Sequence, residues 1–290
     1  GSKAQTNVYD DVINVSPAHT YLAAAIQQQG LEGALQDPSV SLTVFAPTNA
    51  AFDDLAAALG TDISGLLALP NLTDVLLYHV LGATVPSSAV TNGLIATPLN
   101  PSTTLKLTVG TAGVFVNQAE VTGFDLTTDN GVVHVTNAVL LPVETVADMA
   151  IDNGFTSLVA AVVEARLLPA LTNPMASLTV FAPTNEAFAK LPNGTVETLL
   201  KPENKATLAK ILTYHVVAGN LDATAVLKAI KDGKGKVTLK AVSGGTLTAS
   251  IKDGKVILTD EKGGIATVTA TDLKAGNGII HVIDAVVLPK

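Results

Sequence analysis

The amino-acid sequence predicts an α+β protein that consists of two similar domains in tandem. One observation is an internal repeat: Ser41–Phe52, SLTVFAPTNAAF, returns as SLTVFAPTNEAF at Ser177–Phe188, with eleven of twelve residues identical. Another is a change of hydrophobic periodicity within each copy, from helical spacing in the first part to strand-like alternation in the last. A chain of 290 residues also has room for two domains, each with its own core.

The repeat sets the domain boundary. Residues 19–80 match 155–216 without a gap, and Asn130–Pro142 matches Asn277–Pro289 at a shift that is eleven residues larger. Copy two therefore carries an eleven-residue insertion before its last strand. We predict domain one at residues 1–143 and domain two at residues 144–290. No Gly/Ser-rich spacer lies between them, so we expect a short linker.

Each copy opens with helical patterns. Leu22, Ala25 and Ile26 follow the i, i+3, i+4 spacing of an amphipathic helix, and so do their counterparts 136 residues later. The strand LTVFAP is stopped by its proline. Thr48 in copy one and Thr184 in copy two then offer an N-cap oxygen to the next helix.

The last part of each copy is β-like. Leu105, Leu107 and Val109 alternate with Lys106 and Thr108, which is the period of a strand. In copy two, the sequence KDGK between two alternating runs predicts a hairpin with a type I′ turn. Each copy closes on an almost continuous apolar run, VVHVTNAVLL or IIHVIDAVVL, as expected of a central strand. Helices followed by an antiparallel sheet give the α+β class.

Three motifs, in the same order in both copies, carry a family resemblance. They are TVFAPTN-x-AF, a Tyr-His pair, and NGVVHVTNAVLLP or NGIIHVIDAVVLP. Together they resemble the fasciclin-like domain family over almost the whole chain. The resemblance implies that each domain is a β-sandwich-like wedge packed with several helices. It also implies export and an adhesive role at a cell surface or in the extracellular matrix, without catalysis.

The Tyr-His pairs have two interpretations. By the family resemblance, Tyr78, His79, Tyr214 and His215 are the candidate binding residues. The sequence pattern favours a structural role, because each histidine ends an apolar stripe at helical spacing, where a ring is most simply buried with polar partners. Our hypothesis is that the two histidines pin helix to sheet. A smaller difference lies upstream, where copy one has His19 in place of Phe155, which should rewire that part of the core.

No catalytic or metal-binding pattern accompanies these residues. The chain has no cysteine, which excludes thiolate chemistry and cysteine-ligated metals. His134 and His281 in the closing strands lack the spacing of a metal site. The stretch from Asp125 to Asp129 faintly resembles a calcium loop, but its glycine falls one place late and its last ligand is missing, so we interpret it as a turn. We expect no enzymatic activity, no metal and no cofactor.

Charge is divided unevenly between the copies. Residues 1–143 carry a net charge of −9 and residues 144–290 carry +1, while the segment 228–262 holds eight lysines and four acidic residues. We predict that this lysine-rich region binds acidic polysaccharide, or the acidic domain of a second molecule in a homophilic contact; a merely solvated face is the alternative. The candidate residues are Lys234, Lys236, Lys252 and Lys255. The overall charge of −8 argues against nucleic acid.

These features predict an extracellular adhesion module that binds matrix, glycan or cell-surface proteins. The alternative is a carrier of an apolar small molecule such as a carotenoid, which some members of the resembling family bind; the aromatic content of only 4% and the absence of tryptophan oppose it. We interpret Gly1 and Ser2 as a cloning remnant and expect a secreted, periplasmic or anchored protein whose signal or anchor segment is missing. Membrane contact would then require that anchor. Asn14, Asn71 and Asn193 are N-glycosylation acceptors if the source is eukaryotic.

Overall fold

The computed structural model describes residues 4–110 and 113–290, and the chain divides into two compact units, Gly1–Pro142 and Val143–Lys290. The division lies one residue before the boundary predicted from the repeat. Gly1 and Ser2, interpreted as a cloning remnant, lie outside the described residues. Each unit combines helices with one seven-stranded sheet, so the predicted α+β class is confirmed.

The helices of domain one precede most of its strands. A π-helical turn and a 3-10 turn lead into five short α-helices, and Thr48 caps the third by accepting a hydrogen bond from the Ala51 amide, as predicted. The helices are α1 (Thr20–Gln28), α2 (Glu32–Gln36), α3 (Asn49–Ala58), α4 (Ile63–Leu67) and α5 (Leu72–Tyr78). The strands are β1 (Leu42–Pro47), β2 (Val80–Leu81), β3 (Ile95–Ala96), β4 (Leu105–Gly110), β5 (Gly113–Val116), β6 (Ala119–Thr128) and β7 (Gly131–Thr136).

Domain two repeats this plan with one more helix after its second strand. Throughout both domains, every helix among the described residues is too short or too polar to span a lipid bilayer. The helices are α6 (Val146–Asp152), α7 (Thr156–Glu164), α8 (Leu168–Leu171), α9 (Asn185–Ala189), α10 (Thr195–Leu199), α11 (Lys205–Tyr214) and α12 (Ala223–Asp232). The strands are β8 (Leu178–Pro183), β9 (Val216–Ala218), β10 (Lys236–Lys240), β11 (Thr246–Lys252), β12 (Lys255–Thr259), β13 (Ile265–Ala275) and β14 (Gly278–Ile283).

The sheets are mixed, which corrects the prediction of an antiparallel sheet. In domain one the strand order is β2-β1-β7-β6-β5-β4-β3, and in domain two it is β10-β11-β12-β13-β14-β8-β9. The pair β1 and β7 is parallel, and so is the pair β8 and β14. Antiparallel direction follows from short hairpins, but these partners are separated by the rest of the sheet and by several helices, so no turn dictates their direction.

Each sheet curls until its edges meet. An isolated bridge joins Leu81 of β2 to Pro98, just after β3, and another joins Val217 of β9 to Ala241, just after β10. The curled sheet has two apolar faces. In β1, Phe45 belongs to the cluster enclosed by the sheet, whereas Val44 packs with the helices on the other side. This arrangement provides the two apolar layers expected of a sandwich-like wedge.

Most of the insertion in copy two lies at a helix, since 23 residues separate the bridged pair Val217 and Ala241 and only 16 separate Leu81 and Pro98. Domain one has only a 3-10 turn, Ser87–Ala89, between its second and third strands, whereas domain two has the ten-residue helix α12 after β9. Val226 and Ile230, four residues apart, are buried on one face of α12 and anchor it to the sheet. The lysine-rich segment 228–262 therefore begins within this helix and continues through β10, β11 and β12.

The predicted hairpin and the predicted turn had different outcomes. Asp253 and Gly254 both have positive φ angles, 52° and 77°, between the paired residues Lys252 and Lys255, as in a type I′ turn. By contrast, Asp125 and Thr127 belong to strand β6, and only Asp129 lies in the turn that follows it, so the predicted turn is confirmed only at its end. Asp125 has a φ of 59° at an irregularity in the pairing of β6 with β7. A β-bulge supplied the local polar pattern that we read as a turn.

His19 takes a polar role at the position of Phe155. Its ring is buried, with Nδ1 at 2.8 Å from the Ser16 hydroxyl and Nε2 at 3.2 Å from the Ala46 carbonyl. Domain one thus has, at the position of Phe155, a ring that is hydrogen-bonded to Ser16, just before the 3-10 turn Pro17–His19, and to β1. Burial lowers the pKa of His19 from its ordinary value.

Candidate functional site

His79 is buried at the C-terminal end of α5, where its ring joins this helix to the segment after β7. Its Nδ1 atom donates to the Val75 carbonyl at 2.7 Å, and its Nε2 atom accepts from the Leu140 amide at 2.9 Å. A carbonyl only accepts and an amide N–H only donates, so these partners require a neutral ring. Burial lowers the pKa of His79 to about 4, and the ring stays neutral at physiological pH.

His215 has the same environment in domain two. Its Nδ1 atom donates to the Ile211 carbonyl at 2.8 Å, and its Nε2 atom accepts from the Val287 amide at 3.1 Å. Burial lowers its pKa to about 4. In both domains, therefore, the imidazole ties the end of a helix to the chain that follows the central strand. This is the geometry that the pinning hypothesis requires.

The tyrosines next to these histidines are also fully bonded. Tyr78 donates to the Thr104 carbonyl at 2.8 Å and accepts from the Asn117 amide group at 3.1 Å. Tyr214 donates to the Thr246 carbonyl and accepts from the Glu261 amide at 3.1 Å. Burial raises the pKa of each tyrosine to about 12. The rings lie inside the curled sheets, and their hydroxyls hold the ends of neighbouring strands.

The four Tyr-His side chains are inaccessible from outside. The exposed fraction is 1% for Tyr78, 2% for His79, 0% for Tyr214 and 2% for His215. A partner at the surface of a folded domain does not reach atoms with so little exposed area. Direct contact with a macromolecular partner, as the family resemblance implied, would require the domain to open. The geometry therefore supports a structural role for these four side chains.

His134 and His281 occupy equivalent places in β7 and β14. His134 contacts the Phe45 ring at a centroid distance of 5.9 Å and donates through Nε2 to the Val85 carbonyl at 2.8 Å. His281 contacts the Phe181 ring at 5.7 Å and donates to the Leu221 carbonyl at 2.6 Å. Each ring thus holds the segment that follows the second strand of its domain. Within the described residues, no group of three or more His, Asp or Glu side chains is placed to hold a metal ion.

Two aspartates that the sequence analysis did not recognise support these histidines. Asp125 and Asp272 occupy equivalent bulges with φ angles of 59° and 60°, and their backbone amides donate to Nδ1 of His134 and His281. Their carboxylates accept from backbone amides of Ser87 and Ala223 at 2.8 and 2.9 Å. In the sequence, the only indication of this contact is that the aspartate precedes the histidine by nine residues in both copies. That spacing points to a contact only when the bulge in the strand is known.

The candidate lysines form one surface in domain two, which we call the Lys surface (Lys234, Lys236, Lys252 and Lys255). All four side chains are exposed. Lys252 and Lys255 face each other at the end of the β11–β12 hairpin, and Lys236 opens β10 opposite Ser250. The structure therefore brings the four residues to the same end of three neighbouring strands, although twenty residues separate the first from the last.

The lysines of this surface are not neutralised by nearby acids. None of their ammonium groups lies within 4.0 Å of a carboxylate of the described residues. Nearby, Asp232 is already paired with Lys228 on α12. Four unpaired positive charges at the same end of neighbouring strands raise the local electrostatic potential, and a positive potential favours an anionic partner. Asn14, Asn71 and Asn193, which stand in Asn-x-Ser/Thr triplets, are also exposed.

Comparisons with known proteins agree with the repeat. The family model described as Fasciclin domain matches residues 17–142 and 153–289. Protein sll1483 of Synechocystis sp. is 49% identical over 146 residues, which is 50% of this chain and 73% of that protein. Human periostin is 27% identical over 281 residues, which is 96% of this chain but only 31% of periostin. A solved FAS1 domain pair of the insect cell adhesion molecule Fasciclin I covers 91% of this chain and 95% of its own, with 21% identity and a TM-score of 0.45.

Proposed function

Because this chain belongs to the fasciclin domain family, whose domains occur in adhesion proteins, we propose that it is an extracellular or cell-surface adhesion module. It binds matrix, glycan or partner proteins through the outer surfaces of folded domains and catalyses no reaction. We infer that it is secreted, periplasmic or anchored at the cell surface. The buried Tyr-His pairs hold each domain in shape, so the adhesive contacts belong to exposed residues.

The Lys surface is the observation that carries the proposal. Four exposed lysines meet at one end of β10, β11 and β12 without a neighbouring carboxylate partner. An acidic polysaccharide carries repeated anionic groups, so several of them can contact several lysines of this surface at once. The attractions of the individual lysines then add. We therefore propose acidic polysaccharide as the ligand of domain two.

A homophilic contact is a second candidate that the charges favour. Domain one carries a net charge of −9, and its basic groups are only Lys3 and Lys106. Lys106 is buried, so the exterior of domain one is predominantly acidic. The Lys surface of one molecule is then attracted to domain one of the next, which gives a head-to-tail assembly.

The experiment measures binding of the intact chain to immobilised heparin, with neutral dextran as the reference surface. The test variant replaces Lys234, Lys236, Lys252 and Lys255 by glutamine. A matched control makes the same change at four lysines of domain two outside the segment 228–262, namely Lys201, Lys205, Lys274 and Lys290. Sedimentation of the unliganded protein at low and high salt tests the homophilic contact in the same samples.

We expect the wild type and the control variant to bind heparin, and the Lys-surface variant to lose most of this binding. Binding must also weaken in salt, because the screening length falls from about 10 Å at 0.1 M to about 3 Å at 1 M. Equal loss in both variants would mean that only net charge matters, and salt-independent binding would overturn the electrostatic proposal. Salt-sensitive self-association without heparin binding would favour the homophilic contact.

A further inference from the structure

Domain two contains a narrow apolar cavity that domain one almost lacks. The cavity has a volume of about 100 Å³ and lies between α6, α7, α8 and α11 and the strands β8 and β14. The corresponding space in domain one, lined by residues such as Leu22, Ile26 and Leu31, measures only about 30 Å³. The two domains share a fold but therefore differ in the volume of this cavity.

One pair of equivalent residues at this place differs strongly in size. The amide of Val8 donates to Asn130 Oδ1 at 3.0 Å, and the amide of Val146 donates to Asn277 Oδ1 at 2.8 Å. Because the two asparagines are equivalent in the repeat, Val8 corresponds to Val146. The next residue is then a tyrosine in domain one and an alanine in domain two, Tyr9 and Ala147.

In domain one, a buried tyrosine occupies the position that is equivalent to Ala147. Tyr9 is only 2% exposed, and its pKa is raised by burial and by the nearby charge of Glu32 at the start of α2. In domain two the position of Glu32 is taken by Leu168, which lines the cavity together with Ala147. A buried tyrosine near Glu32 in domain one thus corresponds to an alanine in domain two that lines the cavity with Leu168, and the larger side chain leaves less free volume.

The chemistry of the walls defines what fits. Of the lining residues only Thr213 and His215 are polar, and no aromatic ring other than the imidazole takes part. Thr213 donates its hydroxyl to the Ala209 carbonyl at 2.7 Å, and both nitrogens of His215 are bonded to backbone groups. The Thr213 hydroxyl can still accept a hydrogen bond, but no free donor remains inside to bind a ligand oxygen such as that of a carboxylate. Whatever enters must be apolar, because a polar group would lose its hydrogen bonds to water without replacement.

The cavity has an opening. Val242, which belongs to the wall, is 53% exposed, and Ala170 is exposed as well. Leu171 and Leu178 are partly exposed, whereas their counterparts in domain one, Leu35 and Leu42, are buried. A ligand therefore enters beside α8 and leaves its outer end in water.

We propose that this cavity binds the end of one unbranched saturated hydrocarbon chain, such as the tail of a fatty acid, whose polar head remains outside beside Val242. The cavity volume limits the size of the ligand group that fits inside. A cavity of roughly 150 Å³ accommodates benzene, and drug-sized ligands use at least about 300 Å³. The space next to Ala147 is smaller than either, so it suits a chain end rather than the ring of a carotenoid. This inference does not depend on the proposed adhesive function.

The test uses the intact chain with isotope-labelled alanine methyl groups and sodium decanoate as the probe. The Ala150 methyl group lines the cavity of domain two, and the Ala34 methyl group lines the small space of domain one. One variant, Ala147→Tyr, introduces the residue of domain one into domain two. The reciprocal variant, Tyr9→Ala, opens the equivalent space in domain one. The uncharged probe 1-octanol separates recognition of the chain from recognition of the carboxylate.

We expect both probes to shift the Ala150 resonance saturably in the wild type and not in Ala147→Tyr. In Tyr9→Ala a new saturable shift should appear at Ala34. From hexanoate to decanoate, each methylene that enters should raise the affinity about fourfold until the cavity is full. If Ala147→Tyr fails to fold, Ala147→Met fills part of the space with a flexible side chain and should weaken binding at least about tenfold.

Several results would overturn the proposal. They are the absence of a shift at Ala150 in the wild type, equal shifts in the cavity-filling variants, and binding of decanoate without any binding of octanol. Binding that survives in the variant of the Lys surface supports the independence of this site from the adhesive one.

Discussion

The Nε2 atom of His79 accepts a hydrogen bond from the backbone amide of Leu140, which lies 61 residues away along the chain, at 2.9 Å. The ring thereby connects the end of α5 to the segment that leaves β7, while its other nitrogen is bonded within the helix. A residue that resembles a surface binding determinant in the sequence is thus a long-range connection inside the domain.

His79→Ala should destabilise domain one by about 3 kcal/mol, because the Leu140 amide loses its partner in the buried interior. Urea unfolding of the intact chain measures the change, and His215→Ala should produce a similar loss in the transition of domain two. Asp53→Ala on the exposed side of α3 is the control and should stay within about 0.5 kcal/mol. Unchanged unfolding of both histidine variants would refute the pinning role.

The stability of both domains should fall between neutral and mildly acidic pH. The folded-state pKa of His79 and His215 is about 4, below the value of about 6.5 in an unfolded chain. The unfolded state therefore takes up protons first, and stability that is complete above about pH 6.5 is lost as the pH falls towards about 4. The full effect is about 3 kcal/mol for each histidine.

Urea midpoints across this pH range test the titration. The lowered pKa of His19 acts in the same direction in domain one. His215→Ala should flatten the pH dependence of domain two, which has no counterpart of His19. A wild-type protein with the same midpoint at neutral pH and near about pH 4.5 would contradict the neutral, buried rings.

Tyr78→Phe should cost about 2 kcal/mol, because the Thr104 carbonyl and the Asn117 side chain lose a hydroxyl partner that little water replaces. Tyr21→Phe is the matched control, since the Tyr21 hydroxyl makes no hydrogen bond to the described residues. Heparin binding measured on the same samples should be unchanged by Tyr78→Phe. Lost binding with intact stability would revive a direct contact by this tyrosine.

Gly131→Ala should destabilise domain one by about 3 kcal/mol or more. A methyl group at this position would lie 2.3 Å from the Leu42 carbonyl oxygen, which belongs to the parallel neighbour β1, so backbone must move. Gly254→Ala at the hairpin end should cost only about 1 kcal/mol, because its added methyl group meets nothing and the penalty comes from the positive φ angle. Thermal unfolding of the two variants compares the effects, and a larger loss for Gly254→Ala would contradict this account.

Much of the fold could be predicted because its signals are local. Thr48 and the hairpin at Asp253 and Gly254 depend on residues within a few positions, and both were identified correctly. The direction of β1 relative to β7 could not be predicted, because it depends on how distant elements pack. Helix α12 was not predicted, although Val226 and Ile230 have helical spacing, because the inserted segment was considered only as a lysine-rich region with a hairpin.

The candidate sites show the same limit. The KDGK turn predicts that Lys252 and Lys255 lie together, but only the pairing of β10 with β11 brings Lys236 to the same end. The cavity of domain two was missed for a different reason. Tyr9 and Ala147 precede the ungapped part of the repeat, and their equivalence appears only through the hydrogen bonds of Asn130 and Asn277.

The strand LTVFAP has the same sequence in β1 and β8, and each copy lies beside a parallel partner with a very similar sequence. In a fully unfolded chain, β1 is therefore almost as well suited to β14 as to β7, and refolding can exchange strands between domains. Synthesis removes this ambiguity. All strands that complete the sheet around β1 precede Leu178 in the chain, so domain one can close on the ribosome before its competing strand exists. The order of translation thus protects a duplicated protein from its own repeat.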